Sequence, residues 1–194
     1  MNAYLDACIL LAYTNGPKAN QFQYNTASRI MRDIKQKKYK GVITHIALQE
    51  ILNILRRQIG SNHGHLFNLP EPDRMKYVNT EARRQYSLLL TELLRGQVFT
   101  FPNCDEISAG TINRDGLILL DRHFGEVKLG YRKCNQCGYS SNKSEYKGLS
   151  PSDVAHIMLA HELHCDQFFT FDQGYEILQN EKKLNPTQII VFRP

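Results

Sequence analysis

Apolar and polar positions along the chain fall into short runs of strand type separated by longer stretches of helical period. Ala3-Tyr4-Leu5 reads as a strand ended by Asp6, and Ala7-Cys8-Ile9-Leu10-Leu11-Ala12-Tyr13 as an apolar helical turn or two stopped by Asn15-Gly16-Pro17. From Gln21 to Lys40, Phe22, Ala27, Ile30, Met31 and Ile34 recur on one helical face, with Arg29, Arg32, Lys35, Lys37 and Lys38 on the other. Gly41-Val42-Ile43 follows as a second strand. Thr44 is placed to cap a helix from His45 to Ile59, whose stripe is Ile46, Ile51, Leu52 and Leu55. Gly60 to Pro72 reads as a loop, Asp73 to Arg95 as a long helix ended by Gly96, and Gln97 to Phe101 as a third strand. A helical pattern interrupted by Gly110 and Gly116 covers Asp105 to Phe124. The segment 125–148, rich in Gly, Lys, Ser, Asn and Tyr, fits neither period.

The last third returns to clear signals. Ser150 is an N-cap, Pro151 suits the first helical position, and Val154, Ile157, Met158 and Leu159 form a buried face. Phe168-Phe169-Thr170-Phe171 is short, aromatic and β-prone, as a strand covered on both faces would be. A short helix through Tyr175, Ile177 and Leu178 then leads to a last strand, Gln188 to Phe192. Five short strands separated by helices predict an α/β fold, a three-layer α/β/α sandwich with a central parallel sheet of about five strands. At 194 residues the chain is expected to form a single domain, 1–194, with an inserted loop at about 125–148.

Composition narrows the class only a little. No stretch approaches the roughly 20 apolar residues of a membrane span, and Met1 to Asp6 has no basic leader, so a cytoplasmic protein is expected. The five cysteines argue against a disulfide framework. A net charge of +5 is compatible with a polyanionic partner.

The chemistry lies in four acids. In an open parallel sheet ligands bind at the carboxyl ends of the strands. Asp6 follows the first strand, Glu50 lies in the helix after the second, Asp153 opens the helix before the fourth, and Asp172 follows it. Singly each has a bland reading: Asp6, Asp153 and Asp172 as helix caps or first-turn acids, Glu50 as an exposed residue beside the stripe. Together on one rim they would repel one another, which implies Mg²⁺ or Mn²⁺, and a metal ion activates water against a phosphodiester. Asp166, ahead of the strand, belongs to the opposite rim.

Tyr4-Leu5-Asp6-Ala7, Ile43-Thr44 through Glu50-Ile51-Leu52, Asp153-Val154-Ala155 and Phe169-Thr170-Phe171-Asp172 together resemble the PIN-domain ribonucleases, in particular the VapC-like toxin group. The resemblance covers nearly the whole chain except 125–148. It implies a metal-dependent endoribonuclease with Asp6, Asp153 and Asp172 as ligands of Mg²⁺ or Mn²⁺. Glu50 would be a ligand or water-positioning group, and Thr170 would help to hold the site and its substrate. It also implies RNA as substrate, an antitoxin protein whose arm inserts into the acidic rim, and a homodimer. A catalytically silent PIN module binding RNA or protein, a housekeeping RNA-processing enzyme and a DNA-directed nuclease are the alternatives. Cys8 stands near where the family frequently has a hydroxyl residue.

The segment 125–148 adds Cys134-x-x-Cys137-Gly138, half of a zinc knuckle, with Cys104, His123, His161, His164 and Cys165 as candidates for further ligands of a structural Zn²⁺. His63 and His65 read as loop residues. Arg132, Lys133 and Lys143, with Tyr131, Tyr139, Tyr146 and Lys147, form a basic aromatic set suited to phosphate pairing and base stacking.

Overall fold

The computed structural model describes residues 1–62, 68–95, 99–102, 116, 118–119, 127–133, 140–146 and 149–194. Five strands form one all-parallel sheet: β1 (Asn2–Leu5), β2 (Lys40–Val42), β3 (Phe99–Thr100), β6 (Gln167–Thr170) and β7 (Gln188–Val191), in the order β3-β2-β1-β6-β7. Helices α1 (Ala7–Asn15), α2 (Gln21–Lys35), α3 (His45–Asn62), α4 (Glu71–Leu94) and α5 (Pro151–Glu162) surround it. The α/β sandwich expected from the strand and helix runs is therefore the architecture found.

Period-two alternation along β1 and β6 divides the core. Ala3, Leu5 and Phe169 face one way and pack with Ile9 and Leu10 of α1, Met31 and Ile34 of α2, Ile51 of α3 and Leu93 of α4. Tyr4 and Phe168 face the other way and pack with Val154, Ile157 and Met158 of α5 and with Tyr175 and Leu178. The register Tyr4↔Phe168 and Leu5↔Phe169 puts side chains of like direction side by side. A slip of one residue would exchange the two cores.

Several boundaries differ from the sequence pattern. Helix α2 stops at Lys35 rather than Lys40, because Lys37 takes a left-handed backbone (φ 60) and Lys40 is drawn into β2 opposite Asn2. Helix α3 continues through Gly60 to Asn62, and Pro72, read as loop, sits in the first turn of α4, where its missing N–H has no helical partner to lose. The segment read as an inserted loop contains an antiparallel hairpin, β4 (Val127–Lys133) with β5 (Ser140–Tyr146), pairing Arg132 with Ser141, Lys133 with Ser140 and Gly130 with Lys143. Cys134 and Cys137 lie outside the described residues, as do Cys104, His63, His65 and His123. Among the described residues no helix is long and apolar enough to cross a membrane.

One glycine in the sheet is fixed by packing. A Cβ on Gly41 would lie 2.5 and 2.6 Å from two ring carbons of Phe99. Gly41→Ala is expected to cost about 1–3 kcal/mol by overpacking, read as a lower urea midpoint with unchanged slope. A midpoint equal to wild type would show that the short edge strand β3 moves aside without cost.

Candidate metal centre

Strand order runs outward from β1 to β2 and β3 on one side and from β6 to β7 on the other, so the order reverses between β1 and β6. The carboxyl ends of these two strands open the crevice where such sheets bind ligands. Asp6 stands there. Its N–H donates to the Phe169 carbonyl (3.1 Å), carrying the β1–β6 pairing one residue beyond Leu5. It occupies the N-cap position of α1, yet its side chain makes no capping hydrogen bond. Asp6 Oδ2 instead accepts from Thr170 Oγ1 at 2.6 Å and from Cys8 Sγ at 3.1 Å. The carboxylate is thus pulled away from the helix end and into the crevice. Burial raises its pKa, opposed by His156, Thr170 and Cys8, and the charge of Glu50 adds to the rise.

Near Asp6 a side-chain contact joins α3 to α5. Glu50 Oε2 lies 2.8 Å from His156 Nε2. Asp6, Glu50 and His156 each present one ligand atom, all within 4.8 Å of one another. The imidazole is buried, at 1% exposure, while the Glu50 side chain keeps 34%, so the group is open on the Glu50 side alone of these two. Behind the ring, Nδ1 meets the Tyr4 hydroxyl at 2.7 Å, and that hydroxyl meets Thr44 Oγ1 at 2.7 Å. Thr44, expected as a helix cap, has its hydroxyl committed to this chain. Burial keeps the Tyr4 phenol neutral, far above its ordinary pKa. Burial also works against a charged His156, but the Glu50 hydrogen bond and the charges of Asp6, Glu50 and Asp153 outweigh it and raise the pKa.

Asp153 and Asp172 border the same space without joining this group of three. Asp153 completes a capping box, its Oδ2 accepting from Ser150 N (2.7 Å) and its N–H donating to Ser150 Oγ (3.2 Å). Asp172 Oδ1 accepts from Gly174 N (2.7 Å) and caps the 3₁₀ turn Gln173–Leu178. Tyr175 packs beside Asp153 and feels the charge of the other acids. Its hydroxyl donates to the Asp153 carbonyl at 3.2 Å, and its pKa is driven well up by burial and then by Asp6, Asp153, Tyr4 and Asp172. Thr170 is fully buried, donating to Asp6 and accepting from Asp172 N (2.9 Å), so its hydroxyl ties the two acids together.

His156, Tyr4, Tyr175 and Thr44 were not singled out by sequence as parts of a site. A signal existed for His156: it lies three residues after Asp153, within the apolar run of α5, and a buried polar side chain there requires a partner. Of the thiols, Cys165 is enclosed in the core and pushed up to about 12 by burial, with Asp166 adding to the rise.

No protein-family model matches the chain, and no curated protein matches it. A structural match does exist: a chain in the crystal structure of VapBC2 from Rickettsia felis bound to a DNA fragment from their promoter. The TM-score is 0.50 at 10% identity, covering 100% of both chains. The fold is PIN-like. In this PIN-like frame the donors fit a divalent cation. Two carboxylates supply oxygen, an imidazole supplies nitrogen, and each of Asp6 and His156 is oriented from behind by a hydroxyl.

Proposed function

We propose that the chain is a divalent-metal-dependent endoribonuclease, the toxin of a toxin–antitoxin pair. The observation that carries this reading is the diversion of Asp6 from its helix end to within 4.8 Å of the Glu50 and His156 ligand atoms. A bound divalent ion supplies Lewis-acid stabilisation of charge on the phosphate and an activated water for in-line attack. Asp6 is the ligand fixed most rigidly, by Thr170 and Cys8. Glu50, partly exposed, is placed to hold an ion or to position water. In this reading Asp153 and Asp172, engaged in their caps, contribute charge to the acidic rim. Lys133, Arg132 and Lys143 on the β4–β5 hairpin supply cations for the RNA backbone.

The test is cleavage of mixed RNA and DNA by the full chain with Mg²⁺ or Mn²⁺, with EDTA, and for Glu50→Gln. Loss of RNA cleavage in EDTA and in the variant is expected, and cleavage indifferent to both removes the reading. The capping roles of Asp153 and Asp172 favour one alternative, a catalytically silent module that binds RNA or protein. RNA binding without cleavage under any divalent ion would establish it. The PIN-like fold shared with a chain of the VapBC2 structure supports an antitoxin partner. Co-purification from the host with a small partner that inhibits cleavage is the expected result; the absence of both a partner and a growth defect on expression would point to RNA processing.

A further inference from the structure

We propose that His156 is a direct nitrogen ligand of the cation held by Asp6 and Glu50, and that the site therefore takes an imidazole-accepting transition-metal dication in preference to Mg²⁺. The inference rests on the reading that Asp6 and Glu50 hold a divalent ion. It adds a ligand that no acidic-rim reading contains.

The geometry supports it in three steps. Glu50 Oε2 and His156 Nε2 are 2.8 Å apart. Two ligands about 2.1 Å from one ion are roughly 3.0 Å apart when at right angles and about 4.2 Å apart when opposite. The Glu50–His156 separation is thus close to that of neighbouring ligands. The 4.8 Å limit on all three atoms exceeds the opposite-ligand span only slightly.

The second step is orientation. A metal-bound imidazole donates its other N–H to an outer partner that fixes its tautomer. Nδ1 lies 2.7 Å from the Tyr4 hydroxyl and that hydroxyl 2.7 Å from Thr44 Oγ1; with an ion on Nε2, Nδ1–H would donate to the Tyr4 oxygen and the Tyr4 hydroxyl onward to Thr44. That order of donors would free the Nε2 lone pair for an ion on the side where Nε2 already lies 2.8 Å from Glu50 Oε2. Tyr4 is itself fully buried and stacked on Phe168 with ring centroids 5.2 Å apart. The ring of His156 is consequently held from the core side, on a strand and helix rather than on a loop.

The third step is ion choice. Mg²⁺ is a hard ion that prefers oxygen and gives up its water reluctantly, whereas Mn²⁺, Co²⁺ and Zn²⁺ accept imidazole with affinity rising along that first-row series up to copper. A site that offers one nitrogen among its three protein donors gains more from these ions than from Mg²⁺.

The full chain, stripped of metal and titrated with MnCl₂, provides the test. Electron spin echo spectroscopy should detect nitrogen bound directly to Mn²⁺, and biosynthetic ¹⁵N-histidine should replace the ¹⁴N signal in the wild-type protein. His156→Gln should remove the signal and weaken Mn²⁺ at least as much as the roughly 10–100-fold typical of losing even an outer partner, while Mg²⁺ affinity changes little. Tyr4→Phe, which keeps the imidazole but removes its hydroxyl partner, should retain the signal with weaker binding. Mn²⁺ bound without a nitrogen signal overturns the proposal, as does an unchanged affinity in His156→Gln. The isotope experiment decides the matter even if that variant does not fold. Nitrogen-coordinated Mn²⁺ with no RNA cleavage leaves this inference standing and removes the nuclease; failure of any divalent ion to bind removes both.

Discussion

Asp6→Asn should lower metal-dependent RNA cleavage by at least about a hundredfold, because metal stabilisation of transition-state charge is worth several kcal/mol and each ~1.4 kcal/mol is a factor of ten. The substitution keeps shape and an acceptor oxygen for Thr170 and Cys8, so the crevice should survive it. Stability should move the other way. Burial raises the Asp6 pKa, which means that the folded state disfavours the charged form at neutral pH. For a carboxyl whose folded pKa lies above its unfolded value, the wild type loses stability as pH rises from the ordinary Asp value, near 4, through the raised one. In EDTA at pH 7, Asp6→Asn should therefore melt at or above the wild-type temperature, and the difference should vanish as pH falls to about 4. Saturating Mn²⁺ should reverse the ranking: at a hundred times its dissociation constant an ion stabilises the wild type by about 2.7 kcal/mol. Thermal melts with and without Mn²⁺ measure all of this. An Asn variant that cleaves at the wild-type rate, or that gains the same stabilisation from Mn²⁺, would show that Asp6 holds no ion.

The sheet was readable because its strands carry their own signal. Tyr4-Leu5, Gly41-Val42, Phe168-Phe169 and Ile189-Ile190 are short apolar runs; the first three are buried on both faces and Ile190 is half-buried. The hairpin was not readable for the converse reason. Ser140–Tyr146 is largely polar, and among the described residues β4 and β5 form a separate two-stranded sheet. Alternation of Val127, Leu129 and Tyr131 in β4 is short and has no counterpart in β5, so the sequence pattern around it does not mark a pair of strands.

The site divides along a different line. Which acids border the crevice follows from topology, since a parallel strand order fixes where each strand's carboxyl end lies. What each acid does there depends on contacts between residues far apart in sequence. Glu50 meets His156 across 106 residues, Tyr4 meets His156 across 152, and Thr170 meets Asp6 across 164. Asp6 illustrates the limit most clearly. Its residue type and position both favour an N-cap, and only the Thr170 hydroxyl, with Cys8, shows why its side chain makes no capping hydrogen bond there. Asp153 has the opposite outcome, the local capping box being formed as its sequence suggested.

Phe168→Ala is expected to cost about 3–5 kcal/mol, a large part of the 5–15 kcal/mol that holds a typical domain together. Phe168 is fully buried in β6, with Tyr4 stacked on it (5.2 Å, interplanar angle 15°) and Tyr175 tilted against it (4.8 Å, 47°). Both tyrosines use their hydroxyls at the crevice, Tyr4 on His156 and Tyr175 on the Asp153 carbonyl. Removing the ring leaves a cavity directly behind the two groups that orient the site, so stability and metal affinity should fall together. Phe168→Leu restores much of the volume and should recover most of the stability, but a branched aliphatic side chain cannot reproduce a flat face for both rings. Its residual defect should accordingly appear in Mn²⁺ affinity more than in the urea midpoint. Urea unfolding and Mn²⁺ titration of the two variants separate these effects. A loss below about 1 kcal/mol in Phe168→Ala, far short of the usual aromatic truncation, would mean that Tyr4 and Tyr175 close onto each other, and that the crevice does not depend on the ring between them.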